Sequence, residues 1–333
     1  MGIYNFNYLD KIRFENGSKE LKDFFRTLIG QNTEQAVDLI NDGSLHFSSF
    51  YELCPEIMKS GLHKRLNMRN KSALDIINMV ISKNEIKNKE KRQFSTTDYR
   101  NLPLPVLKWI LFTGNNEKIP DDKYDEVIDF SAAVAVKIHK DHSVLPSIAR
   151  IIFDRYKKNK LIHNLVWAYY GCDNPNCLGI IASRLLSSNQ QDVELAQKLL
   201  CFVPGIEKFQ NTDGVKMYAH FLQWYNENFY FLKYTGETFH QSPKPIFYEV
   251  DFESKYLCKP IQRGSNNALN RLSEEKSRLL NDFRKLDYKT RERLSGFSFQ
   301  LKQQNQYYWR IWINYPLQKQ LWMAGISEGG IRE

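Results

Sequence analysis

Asp121-Asp122-Lys123-Tyr124-Asp125-Glu126-Val127-Ile128-Asp129-Phe130-Ser131-Ala132-Ala133-Val134-Ala135-Val136-Lys137-Ile138 decides the fold class. From Tyr124 to Ile138 the apolar residues return every three or four positions, the period of a helix with one buried face. Two aspartates precede the run, where the helix dipole favours negative charge. The next segment repeats the design. Ser143 caps, Pro146 sits in the first turn where its ring is tolerated, and Ile148, Ile151, Ile152 and Tyr156 share a face.

The same reading extends downstream over residues 161–170, 176–186 and 192–202, and Pro204-Gly205 closes the set. Upstream, Ser18 opens a helix with Leu21, Phe24, Phe25, Leu28 and Ile29 inside, and Gly30 ends it. Thr33 opens another that ends at Gly43. Ser48 or Ser49 caps a third, running to Gly61, and residues 72–81 form a fourth. Leu102-Pro103-Leu104-Pro105 cannot lie inside a helix, so a short one through Trp109 to Phe112 follows it and stops at Gly114. The opening residues, aromatic and without periodicity, are expected to be irregular.

Residues 212–230 form an aromatic helix, and then the pattern changes. Residues 234–261 carry Gly236, Pro243, Pro245 and Pro260 around an alternating stretch, Ile246 to Phe252, which reads as a strand or an extended arm. Helical periodicity returns over 267–283, 288–294 and 302–323, the last bent at Pro316, before a loose tail from Gly325. Short helices joined by two to six residues pack as antiparallel neighbours. The expected fold is therefore mainly α, a multi-helix array of irregular-bundle or solenoid-like form, with a short extended arm near residues 234–261. The polar run at 83–93 is the best linker, giving an N-terminal helical region over 1–90, a central array over 94–233 and an arm plus helical C-terminal region over 234–333.

The 333 residues carry 47 Lys and Arg against 38 Asp and Glu, a formal net charge of +9. That surplus suits an anionic partner, and it also suits a solvated lysine-rich surface. Hydrophobic residues at 42% and charged residues at 26% exclude a wholly disordered chain. No apolar stretch approaches the roughly 20 residues that span a bilayer. The five cysteines are odd in number and most have apolar neighbours, so they read as buried free thiols in a reducing compartment. Met1-Gly2-Ile3-Tyr4-Asn5-Phe6 lacks the basic and apolar segments of a secretory signal, and Phe6 stands where a myristoylation motif needs Ser or Thr. An intracellular, soluble, cytoplasmic protein is the expectation.

Motifs of catalysis are scarce. Gly264-Ser265 and Gly329-Gly330 lack the flanks of a phosphate loop, and there is no Gly-x-Ser-x-Gly elbow. Cys172 and Cys177, with His163 upstream, make the nearest approach to a metal motif; the plainer account is a turn carrying two thiols. His139 and His142 lie three apart at a helix end, where cations are common because of the dipole. No catalytic residue, cofactor or resident metal is expected, and an enzyme with a Cys/His metal centre ranks last.

The last third is the most distinctive. Residues 259–333 hold fourteen Lys or Arg against seven Asp or Glu, so +7 of the chain's +9 lies there. Arg271, Arg278, Arg284, Lys285, Lys289, Arg291 and Arg293 crowd one or two helices, followed by Tyr307, Tyr308, Trp309, Trp312 and Trp322. Such aromatics can dock as core, anchor a protein interface, or stack on bases while the cations meet phosphates. The leading expectation is a non-enzymatic helical scaffold or adaptor, a subunit of a larger protein assembly. Its contact residues would be Phe247, Tyr248 and Phe252 of the arm and the C-terminal Tyr307, Tyr308, Trp309, Trp312 and Trp322. The alternative is a nucleic-acid-binding protein using the seven cations.

Overall fold

A computed structural model describes residues 7–86, 99–115, 119, 121–210, 213–261 and 274–326. The described residues hold seventeen α-helices and one two-stranded sheet, so the chain is a mainly helical array. Among the described residues no helix is long and apolar enough to cross a membrane. The chain divides into two compact units, Met1–Cys172 and Asp173–Glu333. The linker expected over 83–93 falls partly in a helix that runs to Ile86 and otherwise lies outside the described residues.

The first unit contains α1 (Tyr8–Asn16), α2 (Ser18–Gln31), α3 (Thr33–Asn41), α4 (Phe47–Lys59), α5 (Met68–Ile86), α6 (Leu104–Thr113), α7 (Asp122–Ala133), α8 (Leu145–Lys157) and α9 (His163–Tyr170). Helix α1 stands where irregular chain is expected. Asn7 caps it by accepting from the Leu9 amide, and Gly17 at φ 92° ends it. Its buried residues are Leu9, Asp10 and Arg13, so two of the three inward side chains are charged and no apolar period marks the helix. Both charges have hydrogen-bond partners, although Arg13 Nη2 is buried without one among the described residues. Asp10 accepts from Ser49 Oγ at 2.5 Å and from the His46 amide at 3.0 Å, and Arg13 Nε donates to Ser49 Oγ at 2.8 Å.

Phe47, Tyr51, Trp109 and Tyr124 bring α4, α6 and α7 together, with Phe47 5.5 Å from Trp109 and 5.8 Å from Tyr124, centroid to centroid. Trp109 Nε1 donates to the Leu45 carbonyl at 2.8 Å, and the Tyr124 hydroxyl donates to the Gly114 carbonyl. Gly114 must be glycine: a Cβ would strike the Ile110 carbonyl and come within 2.6 Å of Ile128 Cδ1. Beyond Ala133 the helical path continues to Ile138 as a widened π turn, with the His139 amide donating to Val134 O at 3.0 Å.

The second unit contains α10 (Asn176–Ala182), α11 (Gln190–Leu199), α12 (Gly214–Asn228), β1 (Leu232–Tyr234), β2 (Tyr248–Val250), α13 (Phe252–Tyr256), α14 (Glu274–Lys285), α15 (Tyr288–Gln304), α16 (Gln306–Trp312) and α17 (Leu317–Met323). The stretch expected as an arm is extended only in part, and it folds onto its own unit. β1 and β2 pair antiparallel, with Leu232 opposite Val250 and Tyr234 opposite Tyr248. Their connection is tied by the Ile246 amide donating to Glu237 Oε2 at 2.8 Å and by the Phe239–Phe247 ring contact at 5.6 Å. The single helix expected over 302–323 is cut in two. Asn305 accepts from the Tyr308 amide at 3.0 Å to start α16, and Pro316 precedes α17.

The core of this region is aromatic. Tyr256 stacks on Phe283 at 4.4 Å, and Trp312 sits against Tyr256 and Phe297. The Tyr256 hydroxyl donates to Gln320 Oε1 at 2.6 Å, and Gln320 Nε2 donates to the carbonyls of Ile313 and Tyr315. Gln320 is fully buried, so each of these bonds replaces one to water. Tyr256→Phe leaves the amide oxygen without its partner and should cost ~1–3 kcal/mol in urea unfolding. Trp312→Ala should cost about 3–5 kcal/mol. Both losses are expected in the unfolding transition of this unit.

Candidate functional site

The sequence candidates separate into buried and exposed sets. Cys172 and Cys177 are both buried, and Cys177 Sγ lies 3.8 Å from the Tyr248 hydroxyl. His163 opens α9 on an exposed turn. Among the described residues, no three His, Cys, Asp or Glu side chains are grouped so as to hold a metal ion. His139 and His142 flank a capped turn. Asp141 between them accepts from the Ser143 amide at 2.8 Å and from Lys108 Nζ at 2.9 Å.

Three of the seven cations, Arg284, Lys285 and Arg293, already have partners inside the second unit. Arg284 grips Glu253 with two parallel bonds, Nε to Oε1 at 2.7 Å and Nη2 to Oε2 at 2.8 Å. Hydrogen bonding to Glu253 holds the Arg284 guanidinium above its ordinary pKa. Lys285 pairs with Asp282 at 2.9 Å, and Arg293 Nη2 donates to the Gly325 carbonyl at 3.2 Å. Arg278 and Lys289 are exposed, and Arg291 is half-buried. Arg271 lies outside the described residues. The structure does not gather these side chains on one helix face.

The aromatic candidates sort by depth. Phe247, Tyr248 and Trp312 are core residues, each no more than 1% exposed: Phe247 and Tyr248 pack on Phe202, and Trp312 on Tyr256 and Phe297. Phe252 is half-buried, 5.3 Å from the Tyr288 ring. Trp309 is half-buried with Nε1 donating to Ser298 Oγ at 2.9 Å, and Lys302 lies 4.8 Å over its ring. Tyr307, Tyr308 and Trp322 are different, at 71%, 61% and 78% exposed. Helical geometry explains the split. Trp309 and Trp312 are three apart and turn inward on α16, so Tyr307, Tyr308 and Ile311 are carried outward together. On α17, Gln320 and Leu321 turn inward, leaving Trp322 and Met323 outside one turn from Lys319.

Two features of this surface escape a reading of residue types alone. Ile311 and Met323 join the exposed aromatics, which only the inward direction of Trp312 and Leu321 could have indicated. The composition is one-sided: residues 293–327 contain Arg293, Lys302, Arg310 and Lys319 and no Asp or Glu. The second unit also holds a buried cation. Lys255 is 6% exposed, its Nζ donates to Asn228 Oδ1 at 2.7 Å, and burial holds its pKa below the ordinary lysine range.

The fold is a mainly helical protein of two units, and the second exposes Tyr307, Tyr308 and Trp322 on its last two described helices. No family model, curated protein or solved structure matches this chain.

The histidine segment yields a pH test of its structural role. Burial pushes the Asp141 carboxyl up, but the bonds from Lys108 and Ser143 outweigh it and leave the pKa at about 2. An aspartate in the unfolded chain titrates near ~3.9. The stabilisation is therefore complete above that value and is lost as the pH falls through about 2. Asp141→Asn should be less stable than the wild type in urea at pH 7, and the gap should close as the pH approaches 2.

Proposed function

We propose that the chain is a non-enzymatic helical adaptor, a subunit that joins a protein assembly through the outer faces of α16 and α17. The observation that carries this reading is the exposure of Tyr307, Tyr308 and Trp322, supported by Ile311 and Met323, on helices whose other faces are fixed in a core. Large apolar side chains gathered on a surface lose free energy to water unless something covers them. Trp, Tyr and Arg are also the side chains that anchor interfaces most often.

The occupant this surface suits is a protein with an apolar centre and a rim of carboxylates. Arg310 and Lys319 supply complementary charge, and no acidic side chain within residues 293–327 opposes it. A second copy presenting the same face would place like charges together. The pairing of Arg284 with Glu253 and of Lys285 with Asp282 weighs against a phosphate-binding stripe on α14.

Light scattering after size-exclusion chromatography of natively purified protein tests the reading. The expected result is a stoichiometric complex with a protein-like ratio of absorbance at 260 and 280 nm. Trp322→Ala with Tyr307→Ala should weaken it by at least about 30-fold, the effect of losing a hot spot worth ~2 kcal/mol. A strictly monomeric wild type, or a raised 260 nm signal that salt removes, would overturn it, the second in favour of nucleic acid.

A further inference from the structure

Lys255 is a buried nucleophile for which the adaptor reading has no use. It is 6% exposed, on the short helix α13, and its hydrogen bond goes to a neutral amide, not to a carboxylate. Nζ donates to Asn228 Oδ1 at 2.7 Å, and Asn228, the last residue of α12, is itself 5% exposed. The other end of that amide is fixed as well, because Asn228 Nδ2 donates to the Trp224 carbonyl at 2.7 Å. Amine and amide are therefore held in contact away from water.

The surroundings favour the neutral amine. The Phe299 ring of α15 is centred 5.9 Å from Nζ and 5.2 Å from the ring of the buried Phe231. Burial holds the Lys255 pKa below the ordinary lysine range, and the charges of Glu227, Glu292 and Cys258 work against that shift. A desolvated lysine that has lost its proton is a nucleophile toward a carbonyl carbon. A step of one C=O bond, ~1.2 Å, carries the contact from Oδ1 to Cγ.

We propose that Lys255 and Asn228 condense into an intramolecular isopeptide bond that ties α12 to α13. The Nζ–Cγ bond forms as the Cγ–Nδ2 bond breaks, and Nδ2 leaves as ammonia. The neutral amine gives up one proton as it becomes an amide, and that proton goes to the departing nitrogen. Starting from the ammonium form, the species that leaves is ammonium, so atoms and charge balance with no oxidant and no water consumed. Glu227 and Glu292 are carboxylates whose charge reaches the amine, which suits them to carry the proton from Nζ to Nδ2. Two groups fixed in contact react as if at very high concentration, so no further catalyst is needed.

The product closes residues 228–255 into a loop that contains the β1–β2 hairpin. Like a disulfide it restricts the unfolded chain, but thiols do not reduce it. The bond lies within the second unit and does not depend on the assembly reading.

Mass spectrometry of the full chain, unfolded after native purification, tests the proposal. The expected mass is one ammonia below that of the sequence. A tryptic digest should contain a branched peptide joining residues 217–233 to residues 234–263, uncut at Lys255. Lys255→Met and Asn228→Ala should each have the full mass and lack the branched peptide. A wild type at full mass, or an ammonia loss that maps to any other position, would overturn the proposal. The wild-type peptide map decides the matter even where a variant fails to fold.

Discussion

A charge withdrawn from water needs partners, and Ser49 supplies them to both charges of the first helix. Its hydroxyl donates to Asp10 and accepts from Arg13, so one small side chain on α4 fixes two ionised groups on α1. Desolvation raises the Asp10 pKa and lowers that of Arg13, and their mutual attraction opposes both shifts. A buried pair of this kind contributes less to net stability than to uniqueness of arrangement, since losing one partner leaves the other stranded. Helix α4 cannot rotate without breaking the pair. That constraint sets the direction of Phe47, Tyr51 and Glu52, and with them the aromatic packing on Trp109 and Tyr124.

The same logic governs what could be read from the sequence. Helices α2, α3, α4, α8 and α11 hide apolar side chains at helical spacing, so periodicity finds them, but the expected caps do not hold: α4 starts after His46 with Ser48 and Ser49 buried inside it, and α8 starts after Val144 rather than from a cap at Ser143. Helix α1 hides Asp10 and Arg13, so the rule that apolar means inside fails where the inside is charged. The hairpin shows a different failure. Alternation over residues 246–252 does identify extended backbone, but not what covers it, and Phe247 and Tyr248 lie under their own unit. Burial against distant chain is a tertiary fact that local pattern does not carry.

The pairing of Lys255 with Asn228 had no signal in the sequence. The two lie 27 residues apart, on α13 and α12, and neither forms a motif with its neighbours in the chain. Lys255 looks like an ordinary helix lysine between Ser254 and Tyr256. Only the packing shows that it is buried and which amide it meets. The C-terminal surface was partly legible, because aromatic and cationic residue types announce it. The depth of each residue was not, and depth decides which of them can meet a partner.

Helix breaks supply that missing depth. Asn305 and Pro316 cut the aromatic C-terminal run into two seven-residue helices, each long enough for about two turns. Such a helix can set only one face against a core, here Trp309 and Trp312 on the first and Gln320 and Leu321 on the second. The sequence places apolar residues on the remaining face as well, so Tyr307, Tyr308, Ile311, Trp322 and Met323 have nowhere within these helices to hide. A surface that served only solubility would place polar residues there, as the outward positions of α11 do with Gln191, Glu194 and Lys198. The contrast between these helices of one unit, each with a satisfied inner face, is the physical ground for reading the C-terminal surface as made to be covered.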